Sequence, residues 1–138
     1  MKVLLDVNVL LDFLQRREPH FEDAASVLDA ILYKNVEGVL PAHAVTIISY
    51  FLERDLKPQE VKNTIEWLLR SFIIAACDFQ ILTLATASTM SDFEDAVVAV
   101  SAKTAGCDYV VTRNVADFTE SPVKAIDPRT FLNGRDCT

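Results

Sequence analysis

Short apolar runs alternate along the chain with longer stretches in which apolar residues recur every three or four positions. The first run, KVLLD, has the length of a buried strand, and apolar residues then follow helical spacing from Val7 to Gln15. Pro19 is expected to stop this first helix. The other short runs are VEGVLP, FIIAAC, DYVVT and VKAI. The pattern therefore predicts five strands.

Helices are predicted between and after these strands. Their segments are FEDAASVLDAILYK, AVTIISYFLER, EVKNTIEWLLR, DFQILTLATAS, DFEDAVVAVSAKTAG and DPRTFLN, and NVADF is predicted as a turn. Pro58 suits the first turn of one helix, and Gly106 is placed to end another. Strands that alternate with helices predict an α/β domain with a mostly parallel sheet and helices on both faces. No linker or repeat divides residues 1–138, so one domain is expected.

Composition and charge restrict the function further. Half of the 138 residues are hydrophobic, but no apolar stretch is long enough to span a bilayer. The start of the chain also lacks a signal-peptide layout. A cytoplasmic protein that does not associate with membranes is therefore expected. Cys77, Cys107 and Cys137 form no CxxC pair, which favours free thiols over a zinc site or disulfides. The net charge of −7 argues against long-range attraction of nucleic acid and suits a basic partner. A metal could still contact phosphate locally.

Acidic residues lie where ligand sites are expected in such sheets, outside the carboxyl ends of the strands. They and their polar neighbours are Asp6 after the first strand, Asp92, Glu94 and Asp95 at the start of the sixth helix, and Thr112, Asn114 and Asp117 after the fourth strand. Asp6 and Asp95 also stand beside apolar residues, where a carboxylate is costly unless it is paired, hydrogen-bonded or metal-bound.

Several of these residues have a purely structural alternative. Ser91 and Glu94 fit a capping box, which would explain Glu94 without any chemistry. Asp92 would be favoured in the first turn of a helix by the helix dipole. Asn114 and Asp117 could cap a short turn.

Repulsion decides between these alternatives for the acidic residues. If Asp6, Asp95 and Asp117 approach to about 5 Å, each pair repels by roughly 3 kcal/mol at an effective dielectric constant near 20. Three such pairs cost about as much as the whole stability of a domain. The cluster should therefore take up protons or bind a cation, and oxygen ligands favour Mg²⁺ or Mn²⁺.

The same residues resemble the PIN-domain family, which includes toxin ribonucleases of bacterial toxin–antitoxin pairs. The resemblance lies in VLLDVNVLLDFL, DFEDAVVAVSAKTAGCDYVVTRNVADF and VKAIDPRTFL, and it covers nearly the whole chain. It implies a three-layer α/β/α sandwich with a central parallel sheet, and a metal-dependent endoribonuclease. It also implies an RNA substrate, an antitoxin partner and a homodimer.

Carried over by position, the resemblance assigns the site residues. Asp6, Asp95 and Asp117 would be the catalytic metal ligands. The supporting residues would be Asn8, Thr112, Asn114, Asp92 and Thr46.

One position departs from the family's pattern, since Ile47 stands where a glutamate is usual on the helix after the second strand. Glu53 lies on the same helix, but roughly 9 Å further along the axis. Thr46 or Ser49 could hold a water in its place. The site is therefore expected to have three carboxylates instead of four. His43, before the same helix, is interpreted as structural, and Asp12 as a surface residue.

Three functions stay open at this stage. The first is a hydrolytic enzyme in which Asp6 and Asp95 hold the metal, while Asp117 with Asn114 orients metal or water. The second is a PIN-like module that has lost one acid and binds RNA or a protein partner. The third is an aspartyl phosphotransfer domain, which would want a second acid near Asp6, where the chain has Asn8.

Overall fold

Five short parallel strands form a single sheet at the centre of the computed structural model, which describes residues 1–136 and the side chains of residues 1–134. The strands are β1 (Lys2–Leu5), β2 (Glu37–Pro41), β3 (Ile73–Ala75), β4 (Tyr109–Val111) and β5 (Ala125–Ile126). Their order in the sheet is β3-β2-β1-β4-β5. All four neighbouring pairs are parallel, so the prediction of a parallel sheet with about five strands is confirmed.

Seven α-helices and one 3-10 helix connect and follow the strands. The α-helices are α1 (Val7–Leu14), α2 (Phe21–Tyr33), α3 (Ala42–Leu52), α4 (Pro58–Ser71), α5 (Phe79–Thr86), α6 (Phe93–Thr104) and α7 (Pro128–Asp136), and the 3-10 helix spans Val115–Phe118. Helix α1 ends before Pro19 because Arg16 takes a positive φ of 49°. Pro58 does open α4, and Gly106, with a φ of 75°, follows the end of α6 as predicted.

The helices cover both faces of the sheet, because alternate strand residues point to opposite sides. Val3 and Leu5 belong to the larger core, which is built with helices α1 to α4 and α7. Leu4 and Val110 belong to a smaller core, built with α5 and α6. The predicted three-layer α/β/α sandwich is confirmed. None of the described helices has the length and apolar character needed to cross a bilayer.

The strand order places β1 and β4 side by side at the middle of the sheet. From β1 the chain continues to β2 and β3 on one side, whereas β4 continues to β5 on the other. Ligands of open α/β sheets bind where the strand order reverses in this way, outside the carboxyl ends of the two central strands. Asp6 follows β1 and Thr112 follows β4 at this point, and the Asp6 amide donates to the Val111 carbonyl at 3.0 Å.

Two of the three cysteines fall within the described residues. Cys77 and Cys107 are free thiols that pack against the smaller core, and burial raises the pKa of Cys107 to about 11. The Cys107 thiol is a poor nucleophile because its thiolate is rare at neutral pH. Cys137 lies outside the described residues.

Candidate acidic site at the carboxyl edge of the sheet

Asp6 is the most buried acid of the predicted site, with 5% of its surface exposed. It caps helix α1, where Oδ1 accepts the Val7 amide at 2.8 Å, and Oδ2 accepts the Thr112 hydroxyl at 2.8 Å. Burial raises the pKa of Asp6 above its usual range, and the charge of Glu94 acts in the same direction. The hydrogen bonds from Thr112 and Val7 oppose this rise, because they favour the carboxylate.

Thr112 joins the ends of the two central strands. Its buried hydroxyl donates to Asp6 and accepts the Asn114 amide at 3.0 Å, so it fixes the carboxylate and the turn after β4 together. The Asn114 side chain is exposed at the start of the 3-10 helix. Asn8 is half-buried in the first turn of α1, and its side chain forms no hydrogen bond within the described part of the chain.

The start of α6 differs from the predicted capping box. Asp92, and not Ser91, caps the helix, with Oδ1 accepting the Asp95 amide at 2.9 Å. An aspartate caps a helix as well as a serine does, so the cap lies one residue further along than expected. Glu94 is thereby released from capping and contacts His43.

The contact between His43 and Glu94 is a part of the site that the sequence did not reveal. Nε2 of His43 lies 3.1 Å from Oε1 of Glu94, and the buried Nδ1 has no hydrogen-bond partner among the described residues. Of the two neutral tautomers, the one with its proton on Nε2 fits better, since a buried Nδ1–H without a partner would cost more than a bare lone pair. The sequence did carry one signal, because His43 lies in the first turn of α3, two residues after the end of β2 and so at the same sheet edge.

Three carboxylates come close together at the start of α6. Asp92, Glu94 and Asp95 each offer an oxygen within 4.8 Å of the others, and neither Asp6 nor Asp117 belongs to this group. Burial raises the pKa of Asp95 to about 7, followed in importance by the charges of Asp92, Glu94, Asp6 and Asp117. Asp95 therefore lies at the electrostatic centre of the acidic residues, with Asp6 and Asp117 at longer range.

Asp117 is exposed on the 3-10 helix after β4. Its amide donates to the Asn114 carbonyl at 3.0 Å, which fixes the backbone of this turn. Its side chain forms no hydrogen bond within residues 1–134, and its charge contributes to the raised pKa of Asp95. The Asp117 carboxylate therefore interacts with Asp95 through its charge, and no hydrogen bond from the described residues fixes its orientation.

Helix α3 brings no carboxylate to this edge. Ile47 is half-buried and packs against the larger core, and the exposed Thr46 hydroxyl donates to the His43 carbonyl at 2.7 Å. Glu53 follows the last residue of α3, where it accepts from Ser49 at 3.4 Å and lines a groove beside α4. The position expected to lack a glutamate does lack one, and Glu53 lies outside the acidic group.

The prediction that Asp12 is a surface residue is wrong. Asp12 is 1% exposed, and its carboxylate accepts from Nε of Arg113 at 2.7 Å and from Nη2 at 3.3 Å. Six residues after Asp6, helix α1 still runs beneath the loop that follows β4, so the Asp12 side chain meets that loop instead of solvent.

Fold and geometry define the class of protein as an α/β sandwich with acidic residues at the carboxyl edge of its sheet. The sequence profile of the PIN domain matches residues 2–116. The chain belongs to the PIN-domain family. No curated protein matches the chain by sequence.

Solved structures with the same fold include proteins from three bacteria. FitAcB from Neisseria gonorrhoeae is 22% identical with a TM-score of 0.67, covering 92% of this chain and 98% of that one. A toxin–antitoxin complex from Klebsiella pneumoniae is 18% identical with a TM-score of 0.69, covering 91% and 97%. VapC20 from Mycobacterium tuberculosis, described as a toxin that cleaves the sarcin–ricin loop, is 10% identical with a TM-score of 0.67, covering 88% and 98%.

Proposed function

We propose that this chain is a metal-dependent endoribonuclease that hydrolyses RNA phosphodiester bonds and acts as the toxin of a toxin–antitoxin pair. Asp6, Asp95 and Asp117 hold Mg²⁺ or Mn²⁺ and form the catalytic centre. The supporting residues are Asn8, Thr112, Asn114, Asp92 and Thr46. Membership of the PIN-domain family and the toxin fold of its structural neighbours support the assignment.

The crowding of carboxylates around Asp95 is the observation that carries the proposal. Asp92, Glu94 and Asp95 each offer an oxygen within 4.8 Å of the others. Partial burial, and after it the charges of four neighbouring acids, raise the pKa of Asp95 to about 7. A nearby cation stabilises the ionised form of such a carboxyl group. The donors available are carboxylate oxygens, which suit Mg²⁺ and Mn²⁺. The donor set therefore fits the proposed metal.

The three proposed metal ligands come from different elements of the fold. Asp6 is held in one orientation by Thr112 and the start of α1, so it presents a carboxylate that need not reorganise. Asp95 and Asp117 approach from α6 and from the 3-10 helix. A divalent cation bound by such acids supplies Lewis-acid activation of water and neutralises charge on the phosphate.

The proposed partners follow from the charge of the chain and from its neighbours. An antitoxin with a basic segment would complement the net charge of −7, and the Klebsiella pneumoniae neighbour is a toxin–antitoxin complex. We also propose a homodimer and a cytoplasmic location. Light scattering of the purified protein tests the dimer, and the mass of a monomer over a wide concentration range would contradict it.

Cleavage of single-stranded RNA tests the enzymatic proposal. The parent protein should cleave with Mg²⁺ or Mn²⁺ and stop when the metal is chelated. Asp6→Asn should lower the rate by more than about 100-fold, since even losing a residue that merely orients a ligand costs 10–100-fold. Asp29→Asn, the same change at a surface ion pair with Lys34, is the matched control and should cleave like the parent. Equal rates for Asp6→Asn and the parent would contradict the proposal.

One observation favours the second candidate, a PIN-like module that binds RNA or a protein partner without cleaving. Helix α3 gives the site no carboxylate, because Ile47 packs against the core and Glu53 lies in another groove. The same experiment separates the two, since a binding module would retain labelled RNA, or a partner protein, without a metal-dependent product.

A further inference from the structure

We propose that Arg113, held in place by the buried carboxylate of Asp12, binds a phosphate of the RNA strand next to the one that is cleaved. Asp12 is the positioning residue and Arg113 the one that touches the substrate. The inference rests on the proposed function only in taking RNA as the ligand. Neither residue belongs to the acidic group at the start of α6.

The contact with Asp12 uses only one edge of the Arg113 guanidinium. Nε and Nη2 donate to the two carboxylate oxygens at 2.7 and 3.3 Å. A guanidinium has further N–H donors, and these have no hydrogen-bond partner within the described residues. The Arg113 side chain is 28% exposed while Asp12 is 1% exposed, so the free edge is the one that a ligand can reach.

Arg113 is placed beside the catalytic residues by the chain itself. It stands between Thr112, which donates to Asp6, and Asn114, whose amide donates back to Thr112. Its charge lowers the pKa of Asp6, which places the guanidinium within electrostatic reach of that carboxylate. A phosphate bound by Arg113 would therefore lie near the acidic site but outside it.

Arg113 and Asn114 line a cleft of about 290 Å³ that opens beside the site. The acids in this cleft are already engaged: Asp12 pairs with Arg113, Asp23 with Arg129 at 3.5 Å, and Asp127 accepts from Thr130. A phosphate that reaches Arg113 meets its free guanidinium donors, whose fork geometry suits phosphate.

Stability alone explains the pair poorly. A buried ion pair is often no more stabilising than apolar residues of the same volume, because both charges lose their hydration. The pair does orient the Arg113 side chain, because two hydrogen bonds fix the plane of the guanidinium. This orientation reduces the conformational entropy that is lost when a phosphate binds.

The first test measures binding of a labelled single-stranded RNA by fluorescence anisotropy, with Mn²⁺ present and Asp6→Asn as the background to prevent cleavage. Adding D12N and R113Q together removes both charges without leaving a buried carboxylate alone. Affinity should fall about tenfold. The slope of log affinity against log salt should decrease by about 0.7, because one fewer counterion is released.

D29N together with K34Q is the matched control, because it also removes one negative and one positive charge, at a surface ion pair that does not line the cleft. It should leave both affinity and salt slope unchanged. A merely structural role of Arg113 could weaken binding, but it would not change the salt slope. An unchanged slope in the D12N/R113Q protein, or no measurable RNA binding at all, would overturn the proposal.

A second test does not depend on the folding of that variant. One uncharged methylphosphonate linkage is moved along the RNA strand, and binding to the Asp6→Asn protein is measured for each position. RNA with the uncharged linkage next to the cleaved position should bind about tenfold more weakly than unmodified RNA. In the Arg113→Lys protein, the same modification should weaken binding by a smaller factor. Equal affinity for every position would overturn the proposal. If the parent protein binds in this pattern but never cleaves, the proposed enzymatic function fails while the phosphate contact stands.

Discussion

The site has two halves that are built in opposite ways. The inner half lies at the ends of β1 and β4 and consists of Asp6, Asp12, Thr112 and Arg113. The outer half lies on α6 and the 3-10 helix and consists of Asp92, Glu94, Asp95 and Asp117. Acids of the inner half are buried and hydrogen-bonded to the protein. Those of the outer half are exposed or half-buried, and they repel one another.

This difference indicates separate duties. Each carboxylate of the inner half has a fixed partner, so its position is set by the fold before any ligand arrives. In the outer half, burial of Asp95, and after it the charges of the neighbouring acids, raise the pKa of Asp95 to about 7. The fold therefore fixes the inner half, whereas under the proposed function a cation would change the charge balance mainly in the outer half.

The largest effect on stability is expected from Arg113→Ala. The substitution leaves Asp12, which is 1% exposed, without its cation, and removing one partner of a buried pair costs about 3–5 kcal/mol of unfolding free energy. Urea unfolding at neutral pH measures the loss. Adding Asp12→Asn to the variant should recover most of it.

The control for this prediction is the other pair between an arginine and an aspartate. Arg129 and Asp23 are separated by 3.5 Å and are 75% and 32% exposed, so Arg129→Ala should cost less than about 1 kcal/mol. If the two arginine variants lose equal stability, the buried pair of Asp12 and Arg113 does not anchor the inner half.

Thr112→Val should have the next largest effect. Valine keeps the shape but removes the hydrogen bond to the buried Asp6 carboxylate and the acceptor for the Asn114 amide, at a cost of about 1–3 kcal/mol. Thr46→Val removes an exposed hydroxyl and should stay within about 0.5 kcal/mol of the parent. Urea unfolding of both variants gives the comparison, and a Thr112→Val protein as stable as the parent would argue against it.

A smaller effect is expected in the outer half from Asp92. Asp92→Ala loses the cap of α6 and should cost about 1 kcal/mol. Asp92→Asn keeps a capping oxygen and removes a charge that repels Asp95, so it should be at least as stable as the parent. Thermal unfolding of the metal-free proteins distinguishes the two variants. A loss in Asp92→Asn equal to that in Asp92→Ala would mean that charge, and not the cap, holds the helix start.

The fold could be predicted from the sequence because its signals are local. The KVLLD run, the helical spacing that follows it and the positions of Pro58 and Gly106 each depend on a few neighbouring residues. The order of the strands is different, since β1 pairs with β4 across more than a hundred residues. No local pattern states such a pairing.

The two wrong interpretations at the site also concern contacts between residues that are far apart in the sequence. Asp12 reads locally as the polar face of a helix, but its partner Arg113 is 101 residues away. Glu94 fits a local capping box with Ser91, yet its partner is His43, at a separation of 51 residues. In both cases a contact between distant parts of the chain displaced an interpretation based on neighbours.

Asp95 should give the smallest change in free energy but the clearest dependence on pH. Its pKa rises from 3.8 to about 7 on folding, so the folded protein binds more protons than the unfolded chain between these values. The stability that this group contributes is therefore present at low pH and is lost as the pH rises towards 7. Because Asp95 is partly exposed, solvent screens the effect.

Asp95→Asn should flatten this dependence, and Mn²⁺ should act on the parent in the opposite sense. A cation must displace the proton of Asp95, so the rise in melting temperature that Mn²⁺ causes should be larger at about pH 8 than at about pH 6. Melting curves of the parent, Asp95→Asn and the surface control Asp29→Asn, with and without Mn²⁺, measure both effects. If the parent and Asp95→Asn show the same dependence of melting temperature on pH and on Mn²⁺, Asp95 is ionised throughout this pH range and does not contribute to binding a cation.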